Sequence, residues 1–242
     1  MKARSRIAPT TLAVLTTFCL NAAPAAVGEP HSDQSPAEVV AEQMLQAIGG
    51  RLAWAELRNT INGSEQYRAV EPTTVYSVIT IDFERPRLRI ETTAEDLYLV
   101  RVINGESHWR MTRDGEIEDG RPDTVKADRR WYAAHLYRTL HRIASRDPTL
   151  RLQVSEDGRL EVHESDERLM WLRLDVEGEP YAFGVRDDEI GSLTGPWNFV
   201  RDGIHHPSWV SSHDGTWRAA VKALSVNVTL RDSIFDRPTE SR

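Results

Sequence analysis

The apolar positions of the chain change period soon after its start. Val40, Met44, Ala47 and Ile48 fall on one face at helical spacing. Ser35-Pro36-Ala37-Glu38 supplies an N-cap, a proline at the first helical position and the acid of a capping box, so a helix begins there. Gly49-Gly50 ends it, and a short second helical piece is expected over 52–57. Beyond Asn59 the period falls to two. Val75, Ile79, Ile81 and Phe83 alternate with polar residues; Leu88 and Ile90 alternate with Arg87, Arg89 and Glu91; Trp109 and Met111 alternate with His108, Arg110 and Thr112. The run 97–103 is apolar on both faces and reads as a central strand. Short turn signals such as Arg85-Pro86, Asn104-Gly105 and Asp114-Gly115 separate these strands, so the meander is antiparallel.

The strand pattern is interrupted once. Over 128–144, Tyr132, Leu136, Leu140 and Ile143 return to helical spacing, and Asp147-Pro148 closes the segment. Arg129, Arg130, Arg138 and Arg142 carry most of its charge and read as the solvated outer face of a packed helix, or as a patch steering an anionic partner. Strands then resume over 150–154, 160–162, 169–176, 181–185, 195–201, 207–213 and 220–230. The fold class expected is mainly β (α+β), with about 11 strands, an N-terminal helix and one inserted helix. The absence of a repeat or clear linker after residue 35 makes 35–242 a single domain.

The first residues read as an address. Lys2, Arg4 and Arg6 precede a mostly apolar stretch from Thr10 to Leu20, and Ala23-Pro24-Ala25 offers a cleavage site. Residues 1–25 are therefore expected to be a signal peptide and 26–34 a flexible lead, placing the mature protein in a bacterial periplasm. The single cysteine, Cys19, lies inside the leader; Thr16-Thr17-Phe18 before it lacks the small residue that lipid attachment requires. The mature chain then has neither disulfides nor thiolate chemistry. A formal charge of −7 over 242 residues argues against a general nucleic-acid binder, and 28% charged residues against a polytopic membrane protein.

Residues 82–91, Asp-Phe-Glu-Arg-Pro-Arg-Leu-Arg-Ile-Glu, form a strand, an Arg-Pro turn and a strand carrying an arginine; Asn104-Gly105 and Trp109 follow. This pattern resembles the LolA/LolB-like family of periplasmic lipoprotein-sorting proteins, as do the lead helix ending in Ile48-Gly49-Gly50, Gly195-Pro196-Trp197, Asp202-Gly203-Ile204, His206-Pro207 and the tail 226–238. The resemblance runs loosely over 36–238. It implies an incomplete antiparallel β-barrel whose mouth is covered by helices and whose cavity takes up acyl chains. Candidate ligand-binding residues are then Ile79, Ile81, Leu88, Ile90, Leu99, Trp109 and Met111 on the strands, with Tyr132, Leu136 and Leu140 on the inserted helix gating access. The same alternation would serve a solid core. By its place after Arg-Pro, Arg89 matches the family's strand arginine; alternation against Leu88 and Ile90 points it outward.

Catalytic motifs are lacking: there is no Gly-x-Ser-x-Gly, His-Glu-x-x-His, phosphate loop or dinucleotide fingerprint. His205-His206 with His213 is the histidine cluster, but adjacent strand histidines face apart, so no metal is expected. Asp187-Asp188-Glu189 lacks calcium-loop spacing, and Glu161, His163 and Glu164 read as a solvated strand edge. Trp109, Trp171, Trp197 and Trp217 suit either a cavity wall or an ordinary core. The leading expectation is an exported, monomeric, non-catalytic binding protein without cofactor, holding a lipid or lipoprotein acyl chain. The alternatives are an envelope sensory or interaction module with a filled core and, last, a hydrolase without a recognisable motif.

Overall fold

Ser35 and Glu38 set the first helix as the sequence predicts. In the computed structural model, which describes residues 34–69 and 74–239, the Ser35 hydroxyl accepts the Glu38 N–H at 3.3 Å and the Glu38 carboxylate accepts the Ser35 N–H at 2.6 Å. Helix α1 (Pro36–Ala47) buries Ala37, Ala41, Met44 and Leu45. Gly49 and Gly50, both at positive φ, turn the chain into α2 (Arg51–Ala55). There Trp54 is fully buried, and its indole N–H donates to the Ile48 carbonyl at 2.9 Å. The expected signal peptide (1–25), Cys19 and nearly all of the lead lie outside the described residues.

Among the described residues fifteen strands follow. The first six are β1 (Asn59–Arg68), β2 (Val75–Asp82), β3 (Arg87–Ala94), β4 (Leu97–Asn104), β5 (Ser107–Thr112) and β6 (Ile117–Asp119). Helices α3 (Pro122–Ala133) and α4 (Leu136–Ala144) come next. The chain resumes with β7 (Leu150–Val154), β8 (Leu160–Glu164), β9 (Glu167–Leu174), β10 (Pro180–Val185) and β11 (Ser192–Thr194). It ends with β12 (Phe199–Arg201), β13 (Ile204–His206), β14 (Trp209–Ser212), β15 (Trp217–Val226) and a turn of 3-10 helix at Asp232–Ile234. Thirteen strands form one antiparallel sheet, ordered β6-β5-β4-β3-β2-β1-β15-β14-β11-β10-β9-β8-β7, and β12–β13 is a separate hairpin. Every neighbour pair is a short meander step except β1–β15, which joins the two ends of the chain, and β11–β14, across the hairpin. The sheet stays open: its edges are β6 and β7, and α3–α4 is the segment that carries the chain from one edge to the other. The structure is thus mainly β with an incomplete barrel, as expected, with more strands than the sequence suggested.

Three sequence readings are corrected. The single inserted helix over 128–144 is two helices that begin earlier, at Pro122, and break at Ala134–His135; His135 caps α4, its Nδ1 accepting the Tyr137 N–H at 3.2 Å. Arg142 does not solubilise an outer face: it is 7% exposed and donates to Asp147 (2.7 Å), Thr149 (2.8 Å) and Glu164 (2.6 Å). The segment 59–68, not read as a strand, is β1, at the centre of the sheet.

The sheet has two working faces. On the concave face α1, α2 and α4 pack Met44, Leu45, Ile48 and Leu140 against Leu160, Val162, Met170 and Leu172 of β8 and β9. A second cluster on β2–β4 joins Ile81, Leu88, Ile90 and Ile103 with Tyr132 of α3. On the convex face the C-terminal tail lies across β3–β5, with Phe235 fully buried against Val100, Val102 and Trp109. A β-bulge keeps β15 facing the right way. Ser64 opposes Val221 and Gly63 opposes Ala223, so Lys222 is an extra residue. Trp217, Ala219 and Val221 before it, and Leu224 and Val226 after it, consequently all serve the concave side despite their change of parity.

Candidate functional site

Between the two concave clusters the sheet is not covered by packed side chains. A cavity of about 610 Å³ lies there, bounded by β1, β2, β3 and β15 below and by the α3–α4 corner above. Its walls are mostly apolar: Ile79 and Ile90 on one side, Leu136 and Tyr137 from α4, Phe183 and Val185 from β10, and Val210, Ala219 and Val221 from β14 and β15. Its floor is polar. Cross-strand register aligns Ser64 with Ser77 and Ser77 with Thr92, so three hydroxyls form a row over β1–β3. The Ser77 and Thr92 oxygens are 3.5 Å apart, and Ser64 and Ser77 are 7% and 3% exposed. Asn62 and Gln66 flank this row on β1.

One wall is a chain of aromatic and imidazole rings. Trp131, His135, Tyr137 and His206 follow one another edge to face, with centroids 4.7, 5.3 and 4.9 Å apart. His206 Nδ1–H donates to the Pro207 carbonyl at 2.5 Å, and Nε2 accepts from the Asn62 side-chain amide at 3.1 Å. Burial pushes the His206 pKa down to about 4, against the opposing pull of that carbonyl. Burial, reinforced by His206, pushes His135 to about 3, although the cavity leaves part of its ring reachable from outside. Both rings are neutral at physiological pH.

The charged groups of the cavity are paired or peripheral. Arg101 on β4 donates to Asp128 of α3 at 2.5 Å, and the second Asp128 oxygen lies 2.9 Å from His108 Nε2 on β5. This contact ties α3 to the sheet with Asp128 only 5% exposed. Arg68 lies at the outer end of β1 and is exposed. Among the described residues no hydrogen bond links a serine or threonine hydroxyl to a histidine, and no group of three His, Cys, Asp or Glu could hold a metal.

The residues proposed from sequence part company here. Ile79, Ile90 and Leu136 line the cavity. Ile81, Leu88 and Tyr132 belong to the neighbouring packed cluster, and Leu140 to the main core. Leu99 stands opposite Thr92 on the same face, outside the cavity wall. Trp109 and Met111 oppose Val102 and Val100 and so occupy the convex face, where the Trp109 indole donates to the Phe235 carbonyl at 3.1 Å. Arg89 also points to that face, bonded to Glu91 at 2.8 Å and to the Ile234 carbonyl at 3.3 Å. Of the four tryptophans singled out, Trp217 lines the cavity while Trp109, Trp171 and Trp197 are buried elsewhere. Glu189 is held by Arg159 and Arg168, and Glu161 lies 3.2 Å from His163 and 3.1 Å from Arg168. These acids are neutralised by neighbouring side chains.

Sequence reasoning does not single out Asn62, Ser64, Gln66, His135 or Tyr137, and it names His206 only in the histidine cluster and the late-hairpin resemblance, not as a cavity residue. Their signal in the sequence is faint: small polar residues alternate over Asn62, Ser64 and Gln66, a strand period carried by the wrong chemistry for a core. No local signal marks His135.

No family model matches this chain, and no curated protein matches it. Solved structures match loosely. An uncharacterized conserved protein from Thermus thermophilus is 11% identical, covering 86% of this chain and 96% of its own, with a TM-score of 0.35. A DUF1329 family protein from Desulfovibrio piger is 7% identical, covering 84% and 98%, at 0.39. MucB is 16% identical, covering 78% and 61%, at 0.27. Likeness at this level is a loose relation of fold and says nothing about ligand or chemistry.

Proposed function

We propose that this protein is an exported, monomeric, non-catalytic binding protein. Residues 1–25 are a removable leader, and 35–242 are one domain that holds an acyl chain of a lipid or lipoprotein. The observation that carries the reading is the cavity itself. An open antiparallel sheet leaves about 610 Å³ unfilled beneath the α3–α4 corner, within the range of about 300–1,000 Å³ typical of ligand sites, and its walls are apolar. About sixteen methylenes buried there would gain about 13 kcal/mol, which leaves the roughly 8 kcal/mol of micromolar binding after about 5 kcal/mol is lost to association. The paired state of Arg101 and Asp128 and the absence of a hydroxyl–imidazole pair among the described residues favour holding over catalysis.

The test is native mass spectrometry of the mature chain purified from periplasm without detergent, followed by titration with a fluorescent fatty acid. A lipid mass that leaves on denaturation, or saturable uptake of the probe, is expected. Ala219→Trp, which places an indole in the cavity from β15, should weaken uptake at least about tenfold with the fold retained. A clean apo mass with no uptake would overturn the reading in favour of a module that presents its surface to an envelope partner.

A further inference from the structure

The floor and the walls of the cavity suit different halves of one molecule. The walls at Leu136, Tyr137, Phe183 and Val185 offer hydrocarbon contact. The floor offers hydrogen bonds, and one of them lacks its counterpart. Asn62 Oδ1 is buried and has no hydrogen-bond partner among the described residues. The orientation of this amide follows from its neighbour: His206 donates through Nδ1 to the Pro207 carbonyl, so its neutral ring carries a lone pair on Nε2. The Asn62 atom 3.1 Å away must therefore be the NH2, leaving Oδ1 as the acceptor without a donor. An unmet buried acceptor costs free energy, which a ligand hydroxyl or N–H would recover.

Charge argues the same way. Arg101 and Asp128 compensate each other at 2.5 Å. The imidazoles of His135 and His206 are neutral. Among the described residues the remaining cation of the lining is Arg68, which stands exposed at the outer end. A carboxylate or phosphate lying on the floor would lose its water without gaining a free cation, a cost that hydroxyl groups avoid.

We infer that the cavity selects an uncharged amphiphile, whose head donates hydrogen bonds to Asn62 and the Ser64–Ser77–Thr92 row while its hydrocarbon lies against Leu136 and Phe183. This deepens the reading of the cavity as a lipid site and rests on it. A monoacylglycerol represents the class: its hydroxyls donate, and its ester and single chain carry no charge.

The experiment titrates the mature chain with a monoacylglycerol, the fatty acid of the same chain length at about pH 8, where it is ionised, and that acid's methyl ester, which cannot donate. Binding is read by tryptophan fluorescence, since Trp131 and Trp217 line the cavity. The monoacylglycerol should bind about tenfold or more tightly than either competitor. Asn62→Leu should lower it to the level of the methyl ester while the protein keeps its folded circular-dichroism spectrum; Ser64→Ala, a milder change, should lose part of the same preference. Fatty acid binding as tightly as the monoacylglycerol, with the affinity lost in Arg68→Gln, would overturn the inference and place an anionic head at the mouth. Equal affinities for all three would show that the head is not read. Binding of none would overturn the underlying reading of the cavity instead.

Discussion

His206 is 2% exposed, and its ring can stay buried at low cost only while it is neutral. Its pKa falls from 6.5 in the unfolded chain to about 4 in the folded one. Above pH 6.5 neither state binds the proton and the stability contribution is intact. Between 6.5 and about 4 the unfolded chain takes up a proton that the folded chain refuses, so stability falls as pH falls, by about 3 kcal/mol at the lower end. His135 shifts in the same direction and deepens the loss. Asp147 and Asp214, both held near 2 against an ordinary value of 3.8, contribute only below that window. Urea unfolding between pH 7 and 4 should therefore show a decline that His206→Gln, which keeps an acceptor for Asn62, visibly flattens. An unchanged pH profile in that variant would mean that His206 does not titrate with folding. The two imidazoles also mark the limit of reading single residues. Parity separates His206 from His205 on sequence alone, but only the folding of β13 against α4 decides which of them is buried.

At the scale of elements, what was legible is what local chemistry specifies. The capping box at Ser35, the stop at Gly49-Gly50 and the alternation at Leu88 and Ile90 each lie within a few residues, and each is found in place. The elements that escaped are those whose pattern is set by distant partners. Strand β1 carries Asn62, Ser64 and Gln66 on its concave face because that face borders a cavity and not a core, so hydrophobic alternation never appears. The change of parity in β15 is interpretable only once Lys222 is recognised as a bulge against β1. The break between α3 and α4 depends on His135 turning its own ring onto the Tyr137 N–H. Gly49 shows a local signal with a long-range reason. A Cβ there would lie 1.8 Å from the Gly203 carbonyl oxygen, where the β12–β13 hairpin meets the end of α1 and the His205 N–H donates to the Ile48 carbonyl at 3.1 Å. Gly50, also at positive φ, would meet nothing within 4 Å. Gly49→Ala should thus cost about 2–5 kcal/mol by urea unfolding and Gly50→Ala only about 1–2 kcal/mol. Equal losses would show that backbone strain alone requires the glycines.

At the scale of the whole molecule, one sheet separates two tasks. Its concave face holds the helices and the cavity. Its convex face is fastened by the tail, where Asp232 accepts from Arg85 and Arg87, both at 2.7 Å, Phe235 stacks under the Arg87 guanidinium at 4.3 Å, and Arg237 pairs with Asp119 on the edge strand β6. The Arg-Pro segment and the tail, which suggested the family resemblance, are therefore in contact with each other and belong to this fastening; the residues around the cavity are different ones. Sequence grouped Trp109 with Ile79 and Ile90 because all three alternate in strands, but register places them on opposite sides. The separation is testable. Phe235→Ala opens a hole against Val100, Val102 and Trp109 and should cost about 3–5 kcal/mol. It removes nothing from the cavity, so at temperatures where the variant is still folded its affinity for the acyl probe should stay within about twofold of the parent. Ala219→Trp should do the reverse, weakening binding while leaving the tail's contacts in place. A Phe235→Ala protein whose affinity falls in step with its stability would mean that the sheet transmits strain from one face to the other, and that the tail takes part in holding the ligand.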